Sequence, residues 1–191
     1  MKGVNRVTAG YAGGIKKNPT YRSLGKHTEV VEVEFDPSVV KYEELLDTFW
    51  ANHNAYSRPG SSQYKSIIFY HDEKQKSLAE KAKKKLDSRR GRPVNTQIRK
   101  AGPFWVAEGY HQKYYLQNAD FLYASILREF KSEEELFAST IAARLNAWLA
   151  GCGEAGAVYS ALEAMKLKTE VLEEWRKWLG LPEKEQPRRT F

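Results

Sequence analysis

The clearest alternation of apolar and polar positions lies at Glu29 to Phe35 (EVVEVEF), which reads as a strand closed by Asp36-Pro37. Directly after it, Tyr42, Leu45, Leu46, Phe49, Trp50 and His53 recur at helical spacing, so residues 41–53 read as a helix with one apolar face. A loop containing Pro59, Gly60 and two serines leads to a second strand, Tyr64 to Tyr70. Asp72 and Gln75 have the spacing of a capping box and open a basic helix ending near Ser88. Two more strands are expected around Val94 to Ile98 and Phe104 to Ala107. Ahead of Glu29 the chain shows turn punctuation at Gly13, Gly14 and Asn18-Pro19 but no element of its own. The order β-α-β-α-β-β predicts an α/β or α+β sheet covered by helices.

Beyond about Asn118 the pattern is helical throughout. Ser132 and Glu135 suggest a second capping box, opening a helix that runs to Leu149 and stops at Gly151. Shorter helices follow over 155–165 and 170–179, then a charged tail from Pro182 that is expected to fray. The chain therefore divides into a sheet domain, 1–120, and an all-helical C-terminal extension, 121–191.

Composition narrows the picture. With 41% apolar residues in 191, the chain can bury one sizeable core. Its single cysteine, Cys152, excludes an intrachain disulfide framework. The N-terminus lacks the apolar stretch of a signal peptide, and no run approaches the roughly 18 residues of a membrane span. A soluble, cytoplasmic monomer with no membrane partner is expected. The net charge of +7 is concentrated around Lys81, Lys83, Lys84, Lys85, Arg89, Arg90 and Arg92. A nucleic-acid binder interleaves such a run with aromatics, and this run has none, so it reads as the solvated face of the basic helix.

Three places could carry chemistry. By strand parity Glu29 shares a face with Val31, Val33 and Phe35. A carboxyl at the end of a buried face is desolvated and becomes a candidate proton donor near neutral pH. The alternative places residue 29 in the preceding loop, merely solvated. The run Phe104 to Tyr115 (FWVAEGYHQKYY) packs five aromatics with Glu108 and His111, and can line a pocket for a small apolar or soft sulfur group. His111 is an acid, a base, or a structural ring beside aromatics. No second His or carboxylate sits at metal-ligand spacing, so no metal is expected. Cys152, between Gly151 and Gly153 past a helix end, is poorly placed as a primary nucleophile because a helix C-terminus opposes thiolate formation. It suits a resolving thiol better, or an inert turn residue.

Taken together, GYAGG from Gly10, NPTYRSLGKHTEVVEVEFDPSVV from Asn18, YEELLDTFWANH from Tyr42, QYKSIIFYHDEKQ from Gln63 and the FWVAEGYHQKYY run resemble A-type peptide methionine sulfoxide reductases. The resemblance extends over roughly residues 3–120, and AARLNAWLAGCG is similar to the helical extension of longer members. It implies an α+β roll of ferredoxin-like, two-layer type. It also implies reduction of methionine S-sulfoxide, free or in proteins, with thioredoxin as reductant and no cofactor. By the same resemblance Glu29 is the general acid, Tyr11 and Tyr64 hydrogen-bond the sulfoxide oxygen, and Tyr114 is a further pocket tyrosine. Asn54 stands where the family has an aspartate, in a shortened loop, and with Glu108 and His111 is assigned to substrate binding. The family's nucleophile lies in a Gly-Cys-Phe-Trp motif that this sequence does not contain. Gly102-Pro103-Phe104-Trp105 imitates it, but by its neighbours belongs to the later strand. Two expectations follow: an enzyme whose nucleophile segment lies upstream of Met1, or a non-catalytic relative that binds methionine sulfoxide or a protein partner.

Overall fold

The computed structural model describes residues 1–58, 60–90 and 93–182. Pro59, Arg92, the charged tail past Pro182 and the side chains of Arg89 and Arg90 lie outside the described residues. The chain divides into two compact units, Met1–Gln112 and a second from Lys113 onward. That division falls ahead of the 120/121 boundary read from the change in sequence character.

The first unit contains β1 (Val4–Ala12), β2 (Thr28–Phe35), α1 (Tyr42–Ala51), β3 (Ile67–Tyr70), α2 (Glu73–Arg90), β4 (Gln97–Lys100) and β5 (Phe104–Val106). Its strands form an antiparallel sheet in the order β2-β1-β5 and a parallel pair β3-β4. This is the mixed α/β class expected from the pattern. One strand corrects that pattern: β1 lies in the stretch read as having no element. Its period-two signal (Val7, Ala9, Tyr11) is weakened by small residues and by an irregularity of register between Val4 and Arg6. The small residues have a structural reason. A Cβ on Gly10 would lie 2.2 Å from the Phe104 ring and 2.6 Å from the Trp105 carbonyl oxygen, so β1 can meet β5 only through glycine there.

Helix α2 opens as anticipated, with Asp72 Oδ1 accepting the Gln75 N–H at 2.7 Å, while Gln75 Oε1 reaches back to the His71 N–H at 2.9 Å. Not all of its lysines are solvated: Lys83 Nζ donates to the Thr96 carbonyl at 2.7 Å. The buried cluster of this unit is small, formed by Leu46, Ile68 and Ala79 with Tyr42, Phe49 and Trp50 packed against it.

The second unit is entirely helical among the described residues: α3 (Tyr114–Gln117), α4 (Asp120–Leu127), α5 (Glu133–Ala138), α6 (Thr140–Leu149), α7 (Ala155–Ala164) and α8 (Thr169–Trp178). The single helix expected from Ser132 to Leu149 is two. Ser139 is extended, and its hydroxyl donates to the Leu136 carbonyl at 2.6 Å and accepts the Ala142 N–H at 3.1 Å. It thereby ends α5 and caps α6, which a serine inside an apolar helical pattern conceals.

Candidate functional site

The site is built on the β1–β2 pairing. Tyr11 lies directly opposite Glu29 in the antiparallel register, and opposite Trp105 on its other side. Directly paired residues project from the same sheet face, so the phenol and the carboxylate are neighbours. The turn after β1 is fixed by His27, which is buried: its Nδ1 accepts the Gly14 N–H at 3.1 Å and its Nε2–H donates to the Lys16 carbonyl at 2.9 Å. Gly13, at φ +79°, brings the backbone so close to Phe69 that a Cβ would lie 2.6 Å from the ring.

The start of β2 is tied to the loop ahead of β3. The Glu29 N–H donates to the Gln63 carbonyl at 2.9 Å, the Gln63 side-chain amide donates to the Glu29 carboxylate, and Thr28 Oγ1 donates to the Ser62 carbonyl at 2.9 Å. This places Tyr64 beside Glu29. At the other end of that loop, Asn54 Oδ1 accepts the Tyr56 N–H at 3.2 Å, an Asx turn that an aspartate could also make. The loop's two ends are joined by His53, whose Nε2 is 2.8 Å from Ser66 Oγ, itself 2.7 Å from buried Thr96.

Between these elements runs an open groove of about 840 Å³. Tyr11, Glu29, Asn54, Tyr64 and His111 all border it, together with an apolar lining that includes Val33, Phe35, Leu45, Phe49 and Phe69. The parity expectation for Glu29 needs correcting here. Val31, Val33 and Phe35 share its face, but that face is open: Val31 is 64% exposed and Glu29 is only half-buried. Because β2 is an edge strand, residues of both parities border the groove.

Glu108 lies behind Tyr11 and does not line the groove. Its Oε2 accepts the Tyr11 hydroxyl at 2.6 Å and its Oε1 accepts the Tyr21 N–H at 3.0 Å. Burial opposes ionisation of Glu108, but those hydrogen bonds and the nearby His111 outweigh it and hold the carboxyl below its ordinary value. Burial of Tyr11, reinforced by the hydrogen bond and charge of Glu108, pushes its phenol far above the ordinary tyrosine value. Tyr64 is raised chiefly by its hydrogen bond with Tyr21. His111 sits between Tyr110 and Tyr21, with ring centroids 4.3 and 4.9 Å away, and its Nε2 is buried without a hydrogen-bond partner among the described residues.

Tyr21, Gln63 and Gln112 are the participants that sequence reasoning passed over. Gln112 exchanges hydrogen bonds of 2.9 Å with both the N–H and the carbonyl of Ala9, continuing the β1–β5 ladder past the end of β5. Alternation in Phe104–Val106 could not show this, because a side chain takes over from backbone. Tyr114 belongs to the second unit, where it is exposed with its ring against Tyr115. Cys152 is exposed in a turn whose flanking glycines, Gly151 and Gly153, both have positive φ. No cluster of three or more His, Cys, Asp or Glu able to hold a metal occurs among the described residues. None of their helices is long and apolar enough to cross a membrane.

The family model described as peptide methionine sulfoxide reductase matches residues 1–143, so the likeness runs past the sheet unit into α6. The chain is 45% identical over 154 residues to a peptide methionine sulfoxide reductase of Drosophila melanogaster, covering 80% of this chain and 61% of that protein. It is 43% identical over 156 residues to peptide methionine sulfoxide reductase A5 of Oryza sativa subsp. japonica, covering 78% and 61%. The chain thus spans about three fifths of the length of these relatives. Among solved structures, reduced Mxr1 of Saccharomyces cerevisiae is similar at TM-score 0.55 and 26% identity, covering 60% of this chain and 71% of that one. Methionine sulfoxide reductase A of Corynebacterium diphtheriae gives 0.52 and 30%, covering 61% and 65%.

Proposed function

The chain belongs to the peptide methionine sulfoxide reductase family, and from that premise we propose that its groove is the oxygen-binding side of a site reducing methionine sulfoxide to methionine. The observation that carries this reading is the gathering of Glu29, Tyr11, Tyr64 and His111 along one groove that otherwise presents apolar side chains. A sulfoxide side chain needs both: a soft apolar surface for its thioether carbons and proton donors for its oxygen.

In this reading Glu29 donates a proton to the sulfoxide oxygen, while Tyr11 and Tyr64 hold that oxygen by hydrogen bonds. A thiol attacks the sulfoxide sulfur, the oxygen passes to the thiol as a sulfenic acid, and a second thiol converts that to a disulfide with release of water. Thioredoxin then reduces the disulfide. The two electrons that reduce the sulfoxide come from two thiols, so the reading calls for neither metal nor organic cofactor. The sequence contains no Gly-Cys-Phe-Trp motif. No residue of this sequence is assigned as the attacking thiol, and exposed Cys152 is the candidate for the resolving thiol. Asn54 and His111 border the groove and are kept as substrate-site candidates, whereas Glu108 stands behind Tyr11 and Tyr114 is not assigned to the groove; a soluble, cytoplasmic, monomeric protein is their setting.

The test is a titration of this chain with N-acetyl-methionine sulfoxide and with N-acetyl-methionine. Preferential binding of the sulfoxide supports the reading, and equal affinity for the thioether sinks it. In a chain that also carries a Gly-Cys-Phe-Trp segment, Glu29→Gln is expected to slow reduction by about 10²–10⁴-fold. An unchanged rate across neutral pH removes Glu29 from its role. A second reading, a relative that binds the sulfoxide without reducing it, is favoured by Asn54, whose amide carries no charge and is committed to an Asx turn. Dithiothreitol-dependent reduction by this chain alone would overturn that second reading.

A further inference from the structure

A sulfoxide oxygen accepts hydrogen bonds and donates none, so Tyr11 can hold it only by giving it the single phenolic proton. In this structure that proton is already committed. Tyr11 Oη lies 2.6 Å from Glu108 Oε2, and an ionised carboxylate can only accept. The other oxygen of Glu108 takes the Tyr21 N–H at 3.0 Å, so the carboxylate is held from two sides. Tyr11 is 1% exposed, wedged between the Glu29 and Trp105 positions of the flanking strands, so its ring is not free to swing to another partner. Hydrogen bonds to charged groups are among the strong ones, and drawing this proton away from ionised Glu108 opposes sulfoxide binding.

We propose that Glu108 is a positioning residue that decides whether Tyr11 can donate to the sulfoxide: ionised, it keeps the Tyr11 proton turned away from the groove, and neutral, it releases it. The idea rests on reading the groove as the sulfoxide site. On taking one proton from solvent, Glu108 becomes a donor to Tyr11 Oη through Oε2, while Oε1 still accepts the Tyr21 N–H. Tyr11 keeps its own proton and turns it to the groove, so no net charge appears on the phenol. The groups that face this pair are Tyr11 on β1, Glu29 on β2, Tyr21 and Arg22 in the loop between them, and Tyr110 and His111 after β5.

The substitution Glu108→Gln imitates the neutral state at every pH. Its amide oxygen is claimed by the Tyr21 N–H, which leaves the NH₂ facing Tyr11 Oη as a donor. Binding of N-acetyl-methionine sulfoxide is therefore expected to tighten roughly tenfold at neutral pH, the value of one ordinary net hydrogen bond. It should also lack the tightening at lower pH that is expected of the unchanged protein. Glu108→Asp, which keeps the charge, should restore the original behaviour. A purely structural Glu108 predicts the opposite, weaker binding in Glu108→Gln.

The ligand-free arm follows Tyr11 itself, with tyrosine labelled with carbon-13 at the hydroxyl-bearing carbon and the resonance assigned by Tyr11→Phe. Its phenol should ionise at distinctly lower pH in Glu108→Gln than in the unchanged protein or in Glu108→Asp. An unchanged Tyr11 titration overturns the proposal, as does weaker or equal sulfoxide binding in Glu108→Gln. If the titration responds but no variant binds the sulfoxide, the sulfoxide reading of the groove fails while the Glu108–Tyr11 coupling stands.

Discussion

In the unit from Lys113 onward, Leu116, Ile126, Leu136, Leu145 and Leu162 close on one another around Trp175, all of them buried. Among the described residues of the first unit the buried cluster consists of Leu46, Ile68 and Ala79, and apolar neighbours such as Val33, Phe35 and Phe49 border an open groove. The helical unit spends its apolar surface on its own core. The sheet unit leaves much of it facing the cleft where its candidate chemistry lies. A site needs accessible apolar surface and polar groups held from behind, and both subtract from a closed core.

The sharpest way to break this comparison is to hollow each cluster. Trp175→Ala should destabilise the helical unit by about 3–5 kcal/mol, against about 2–3 kcal/mol for Leu46→Ala beside the groove. Denaturant midpoints followed by hydrogen exchange of each unit would show it, and equal losses would remove the contrast. Gly10→Ala is expected to cost about 1–3 kcal/mol, because the added methyl meets Phe104 and the Trp105 carbonyl rather than space. It should loosen the β1–β5 amides while leaving helices α6 to α8 protected. Ser139→Ala should cost about 1 kcal/mol, confined to the α5–α6 junction. Val31→Ala, on the open face of β2, should stay within about 0.5 kcal/mol, and a larger loss would mean that the face is covered.

The two units agree in one device: each holds a tyrosine against a glutamate, buried Tyr11 with Glu108 and partly buried Tyr123 with Glu133. Burial first, then the glutamate, raises both phenols above their ordinary value. A raised folded value contributes stability that is complete below the ordinary tyrosine range and is lost as pH climbs through the raised one. Denaturant midpoints should therefore fall in strong alkali, and Tyr123→Phe should flatten that fall in the helical unit only.

Much of this could be read from the chain. The alternation of EVVEVEF and the helical spacing from Tyr42 to His53 each mark an element by a pattern within a few consecutive residues, and the capping residues Asp72 and Ser132 do so by hydrogen bonds of the same short range. Such local terms are written in consecutive letters. The motifs around Tyr11, Glu29 and Tyr64 likewise carried the family resemblance without any fold. Strand β1 was missed because it depends on a distant partner, Phe104 lying over Gly10. The break at Ser139 is local, but a serine hydroxyl can end a helix, cap one or face solvent, and the letters do not say which way it turns.

The site divides the same way. Sequence alone determined which carboxyls, phenols and aromatic rings are present and where they stand in the chain, because side-chain chemistry belongs to each residue wherever it is placed. Only the tertiary structure decided what those groups are free to do. It opened the face of Glu29 that parity would bury, and set Gln63 on that carboxylate. It also withdrew Glu108 behind Tyr11, 97 positions away along the chain. The direction of one phenolic proton depends on which acceptor comes within hydrogen-bonding distance, and that is settled by folding.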